Sequence, residues 1–420
     1  ATSISKKGGR IILEGDDIHL SSTSEIDASG ATGGGEVLVG GDWQGAGDMH
    51  QATTVTMDSG ASINANATDN GNGGKVVLWS DIANKNSVTE VHGTINAKGG
   101  PNGGDGGQIE TSGYVLRARE IEVSTLSPVG NGGQWLLDPN SIYVGDSYGV
   151  SRSSINTALQ SGTSVTLTTT AGSSSCTGVS CSADVADNLG DIFIGGEITG
   201  DASTATLTLD AVGDIYINAP VSGAGLSISL VADDEVQVNQ AVNIGGSLSI
   251  NSAGQFTTAY LNNLIANTGI AKTGVGSTSL GGNLTTTTGD ISIGSALEIR
   301  KDVSLNTTSG DVTIAGAITS IATAVETFTS NDTWTAGVDI SSAEVLVVGG
   351  GGSGGWYFGA GGGAGGYLYH SNYNISSGNN YSVIVGSGGA KTSSVGKGNN
   401  GNNSSFGDVT ALGGAGGSGR

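Results

Sequence analysis

The sequence predicts an all-β chain, a parallel β-helix (β-solenoid) followed by a small glycine-rich β domain. Three observations carry that prediction. Val, Ile and Leu alternate with Thr, Ser, Asn and Asp through most of the chain, the pattern of strands with one face buried. Short words of this pattern recur with Gly-rich turns between them. The 420 residues include 76 Gly but only 4 Pro, with no Gly-X-Y period, which excludes collagen. At 36 % hydrophobic the chain is too apolar to stay disordered, so a core must exist.

The elements follow in order. Ala1 leads almost directly into strand-like Arg10-Ile11-Ile12-Leu13. No signal peptide opens the chain, and it is expected to begin inside a longer protein. Over residues 1–139 the repeated word is Ile-x-Ala, at Ile26, Ile63 and Ile95, spaced by 37 and 32 residues. Each copy runs into a Gly pair and a strand: Gly34-Gly35, Gly73-Gly74 and Gly106-Gly107. A constant word at variable spacing predicts solenoid coils with insertions at the turns.

Residues 140–324 are expected to continue the solenoid with a different word. Gly-Asp-Ile-x-Ile begins at Gly190, Gly213 and Gly289, with a Val variant at Gly310. Asp191, Asp214, Asp290 and Asp311 thus recur at one position of the word, as turn residues bonding nearby backbone or as an outward acidic ladder. One short helix interrupts the strands, with Ser154 as its cap, Ile155, Ala158 and Leu159 as its apolar face, and Gly162 as its stop. No coil can bury its own inner face, so neighbours must stack. About fourteen coils, each rising about 4.8 Å, would make a rod roughly 65–70 Å long.

Four words of the solenoid region resemble the filamentous haemagglutinin family of exoproteins, exported by two-partner secretion in Gram-negative bacteria. They are Gly73 to Asp81 (GGKVVLWSD), Gly103 to Gly113 (GGDGGQIETSG), Gly133 to Pro139 (GQWLLDP) and Ser154 to Val165 (SINTALQSGTSV). The resemblance covers roughly residues 8–200 and is looser to about 320. It implies a right-handed β-helix in an adhesin, cytolysin, contact-dependent toxin or structural fibre, outside the cell. The family's amino-terminal secretion domain has no counterpart in these residues.

From residue 325 to 420 the composition shifts to Gly runs, Gly349 to Gly352 and Gly361 to Gly366, interleaved with aromatics and short strands. This series resembles a glycine-rich domain of phage-tail and bacterial surface proteins. A packed domain is expected rather than a linker, with Gly letting polyproline-II-like segments lie very close together. Its aromatics Trp356, Tyr357, Phe358, Tyr367, Tyr369 and Tyr373 are either a small core or an interaction surface for glycans or a further subunit.

The charge and the reactive residues narrow the function. The formal net charge of −22 disfavours nucleic acid as a partner, and no apolar run is long enough to span a bilayer as a helix. Cys176 and Cys181 are read as a local disulfide, suited to an oxidising compartment. His19, His50, His92 and His370 lack metal-ligand spacing. No cofactor is expected. Calcium on the Asp ladder, or on Asp48 and Asp105 in Gly-rich loops, is the only metal the oxygen donors suggest, and no Gly-Gly-x-Gly-x-Asp array accompanies them. The Asp ladder lacks the basic partners of a polysaccharide-active β-helix enzyme, so catalysis is not expected.

The function expected is structural: a subunit of an extracellular filament, polymerising end-on through the solenoid ends and the glycine-rich domain. The alternative is a monomeric adhesin of the haemagglutinin type, binding glycans or neighbouring cells. Open, complementary solenoid ends favour the fibre, and an exposed aromatic patch favours the adhesin.

Overall fold

The computed structural model describes residues 1–170, 190–201, 204–259, 262–300, 303–320, 325–336, 342–376, 378–393 and 395–419. Cys176 and Cys181, with the disulfide expected between them, lie outside the described residues. The chain divides into two compact units, Ala1–Thr323 and Ala324–Arg420.

The first unit is a parallel β-solenoid. A twelve-stranded first sheet runs from Arg10–Leu13 to Val312–Ile314, every neighbouring pair parallel and in register. A second, fifteen-stranded sheet begins at Asp17–Leu20 and ends at Ile318–Ser320. A third, of six strands, begins only at Ile198–Thr199, so the later coils have three flat sides. Strands run on across residue 139 without a break in the first sheet.

The expected fourteen coils become twelve among the described residues, roughly 55–60 Å of stack at the strand spacing. The reason is coil length. In the later part, register partners Leu207, Ile228, Leu248, Ile270, Ile291 and Val312 succeed one another every 20 to 22 residues. Earlier partners Arg10, Glu36, Lys75, Gln108 and Gln134 stand 26 to 39 apart, because insertions leave the coil and return.

The Ile-x-Ala words become one column. Ile26 pairs with Ile63 and Ile63 with Ile95, and Ala28, Ala65 and Ala97 are fully buried beside them. The Gly pairs that follow mark the tightest inter-coil contact. A Cβ on Gly34 would lie 1.8 Å from the Ala65 carbonyl oxygen, and one on Gly73 2.0 Å from that of Ala97. Only Gly lets the corner backbone approach that closely.

The Gly-Asp-Ile-x-Ile word does not form one column. Ile192 and Ile215 pair in the second sheet, whereas Ile291 and Val312 pair in the first. The expected single acidic ladder is therefore two short ones at different corners. Three of the four carboxylates accept a backbone N–H from the next coil: Asp191 from Asp214, Asp214 from Glu235, and Asp290 from Asp311, at 2.8–2.9 Å. A three-sided coil has three nearly equivalent corners, so one turn word serves any of them.

The helix Arg152–Gln160 starts earlier than expected. Ser151, not Ser154, is its N-cap, its hydroxyl accepting the Ser154 N–H. Ser154 is buried, with Ile155, Ala158 and Leu159, and its Oγ accepts the N–H of Ile121. That N–H is left over where the strand Val115–Ser124 bulges between Ala118 and Ile121. The chain then leaves the helix through Gly162, in the left-handed region at φ 82°.

The second unit is antiparallel. It holds a four-stranded sheet of Asp332–Thr335, Asn380–Ile384, Ser404–Phe406 and Val409–Ala411, and a ribbon of Ser342–Val348 with Tyr367–Asn374. Val345, Val347, Val409 and Ala411 form its small core.

Candidate interaction surface of the glycine-rich unit

Between those strands the Gly runs are extended and laced to one another at every third residue. Gly349, Gly352 and Gly355 donate to Gly366, Gly363 and Ala360, and Ala360, Gly363 and Gly366 donate in turn to Ser418, Ala415 and Leu412. Gly398 and Gly401 reach Gly417 and Gly414, which reach Ser353 and Gly350. A rung every three residues is the signature of threefold extended helices packed side by side. The packing excludes side chains: a Cβ on Gly365 would lie 1.8 Å from the Gly349 carbonyl oxygen. The expected close-packed polyproline-II-like segments are thus present, tied mainly by backbone hydrogen bonds.

The lattice ends in a loop. The N–H of Gly355 donates to Ala360, closing a hairpin over Trp356, Tyr357, Phe358 and Gly359. Beside it stand residues 391–393 and 395–397: Trp356 donates its N–H to Gly396, and the Thr392 hydroxyl donates to Gly354. Tyr357 and Phe358 both sit in the left-handed region, at φ 45° and 55°. Aromatic residues are strained there, and the surrounding lattice must hold them. Neither ring is used as core. Tyr357 is 72 % and Phe358 83 % exposed, their rings packed edge to face 4.6 Å apart. Trp356 is partly covered, and Val395 is exposed beside the neighbouring segment.

Residues 323–420 match a glycine-rich domain family. No curated protein matches the chain.

The six aromatics singled out in the sequence divide three ways within the glycine-rich domain. Trp356, Tyr357 and Phe358 make the tip just described. Tyr367 and Tyr369 lie on the outer face of the ribbon, opposite Val348 and Leu346, and all four are more than half exposed. Tyr373 is half-buried. It packs on the core with Phe406, and its hydroxyl donates to Asp408 Oδ1 at 2.6 Å, which raises the Tyr373 pKa and lowers that of Asp408. A register shift between Ala343 and Val345 turns this end of the ribbon inward. Sequence reasoning missed Leu346 and Val348, although the alternation of Glu344-Val345-Leu346-Val347-Val348 marks every second residue as outward.

Most of the other candidates are engaged in structural contacts. His19 and His50 pair with Asp58 and Asp16, and His92 Nδ1 meets the Arg119 carbonyl. Asp105 accepts the Asn131 N–H, while Asp48 is exposed. Among the described residues no group of three or more His, Cys, Asp or Glu is gathered as a metal site, and no helix is long and apolar enough to cross a membrane.

Proposed function

We propose that this chain is an extracellular, non-enzymatic contact protein of the bacterial surface, a solenoid bearing a glycine-rich domain that binds glycans or neighbouring cells. The observation that carries the reading is the tip: two aromatic rings, strained at positive φ and left in water. Exposed rings offer large contact area at little entropic cost, and strain of this kind collects at ligand-binding positions. The resemblance of four solenoid words to the filamentous haemagglutinin family supports the same class and a Gram-negative outer surface. The acidic charge and the turn-bound Asp residues support a binding rather than a catalytic role.

The test is binding of the whole chain to a glycan array and to bacterial and host cells, compared with Tyr357→Asn/Phe358→Asn. Asn tolerates the left-handed backbone, so the fold is retained. Binding should fall at least about tenfold, as expected when an aromatic hot spot is removed. Equal binding by the variant would sink the reading.

A second reading, a filament subunit, is favoured by the last coil of the solenoid. Its strands leave Val312 44 % and Ile318 57 % exposed. Such an edge invites strand addition. Filaments in negative-stain electron micrographs, lost in Ile318→Lys, would establish it.

A further inference from the structure

Part of the outer face of the first sheet is covered. Residues 40–51 leave the coil after Glu36–Val39 and fold back over it. Trp43 and Met49 pack with Leu38, Val77 and Trp79 in a small apolar cluster outside the solenoid core. Polar contacts finish the cover: Trp79 Nε1 donates to Gln51 Oε1 at 3.0 Å, the Gln44 N–H donates to Glu110 Oε2 at 2.8 Å, Lys75 Nζ donates to Asp42 Oδ1 at 3.2 Å, and His50 Nε2 meets Asp16 Oδ1 at 2.7 Å. Gln44 reaches that carboxyl only by entering the left-handed region, at φ 51°.

Glu110 stands in register after Leu38 and Val77, in an outward column that is otherwise apolar here. It is wholly buried, and its second oxygen accepts the Ser112 hydroxyl. Among the described residues no cation pairs with it. The charged groups facing it are Asp42 from the covering segment and Asp138 from the next coil, both carboxylates. Two cations on the first sheet are paired with other carboxylates: Lys75 with Glu36 and Asp42, and Arg10 with Glu36. Burial, with repulsion from those two carboxylates, pushes Glu110 up to about 7, and burial pushes Asp138 up to about 6.

We propose that residues 40–51 are a pH-released flap, held closed over the first sheet while Glu110 is protonated. Loss of the Glu110 proton to a buffer base leaves a buried anion facing two carboxylates, with one backbone N–H and one hydroxyl to solvate it. Opening the flap admits water to that anion and lets Gln44 leave its strained conformation. The sign follows from linkage: the closed state binds the proton more tightly, so opening becomes more favourable as pH rises from the ordinary Glu value through about 7.

Hydrogen–deuterium exchange of the whole chain tests this, read on peptides spanning residues 42–52 and corrected for chemical exchange rates. Between pH 6 and pH 8.5 protection should fall about tenfold in the wild type, the one-proton expectation. Glu110→Gln keeps the size and shape of the side chain, with a carbonyl to accept the Gln44 N–H and an amide to donate to the Ser112 hydroxyl. Its protection should be the same at both pH values. Glu110→Leu should be flat as well, which covers misfolding of the amide variant. A flat wild type, or variants that lose protection as the wild type does, would overturn the proposal.

Discussion

The solenoid and the glycine-rich domain both stack extended backbone, but they fill the space between segments differently. In the solenoid, strands stand at the sheet spacing and Ile, Leu and Val columns close the interior, as in Leu209, Leu230 and Ile250. In the glycine-rich domain the segments approach until only hydrogen atoms fit, and the rungs are N–H to carbonyl. One unit is therefore held by side chains and tolerates change at its backbone corners only where they open. The other is held by backbone and tolerates side chains only where its lattice ends. That difference accounts for where the exposed aromatics are: the glycine lattice has no interior to bury Tyr357 and Phe358.

The comparison can be broken by substitutions of opposite kind. The largest effect is expected from Leu230→Ala, which opens a cavity in the solenoid column and should cost about 2–5 kcal/mol in thermal or denaturant unfolding of that unit. Gly365→Ala should cost about 1–3 kcal/mol in the glycine-rich domain, because the added carbon meets the Gly349 carbonyl. Gly361→Ala, with open space around it, should change stability by less than about 0.5 kcal/mol. If the two Gly variants melt alike, close packing is not what holds the lattice.

Lys272 sharpens the solenoid side. It occupies an inward position between Ile250 and Ile293, almost wholly buried, its ammonium donating to the Thr273 and Gly276 carbonyls. Burial lowers its pKa. The unfolded chain then binds the proton more tightly, so this residue's contribution to stability rises as pH climbs toward the ordinary lysine value. Lys272→Met should be neutral to stabilising by about 1 kcal/mol at pH 7, and should remove that alkaline gain. A destabilised variant would mean that the two carbonyl contacts outweigh desolvation.

Much of the fold was legible because its cause is local. Ile-x-Ala and the Gly pair after it carry both the strand face and the close corner, so Ile26, Ile63 and Ile95 align from the amino-acid pattern alone. The Gly runs likewise announced their own packing. The candidate site was legible only in part. Trp356, Tyr357 and Phe358 stand out as aromatics in a Gly run, yet Tyr373 looks the same in sequence and leans on the small core, because a shift of register on the ribbon decides which way it points. Glu110 gave no signal at all. Within Gln108-Ile109-Glu110-Thr111-Ser112 it reads as an ordinary outward polar residue, and only an insertion some sixty-six positions earlier covers it.

The sequence by itself determined that this chain stacks short parallel strands, where its glycines must pack, and where its composition changes. Those properties depend on neighbours a few residues away, through alternation, turn chemistry and the missing Cβ. The tertiary structure alone decided the number of coils, the corner that each Gly-Asp word occupies, which aromatics face water, and which carboxylate is sealed from it. These follow from coil length and register, summed over residues that are distant in the chain but adjacent across one strand spacing.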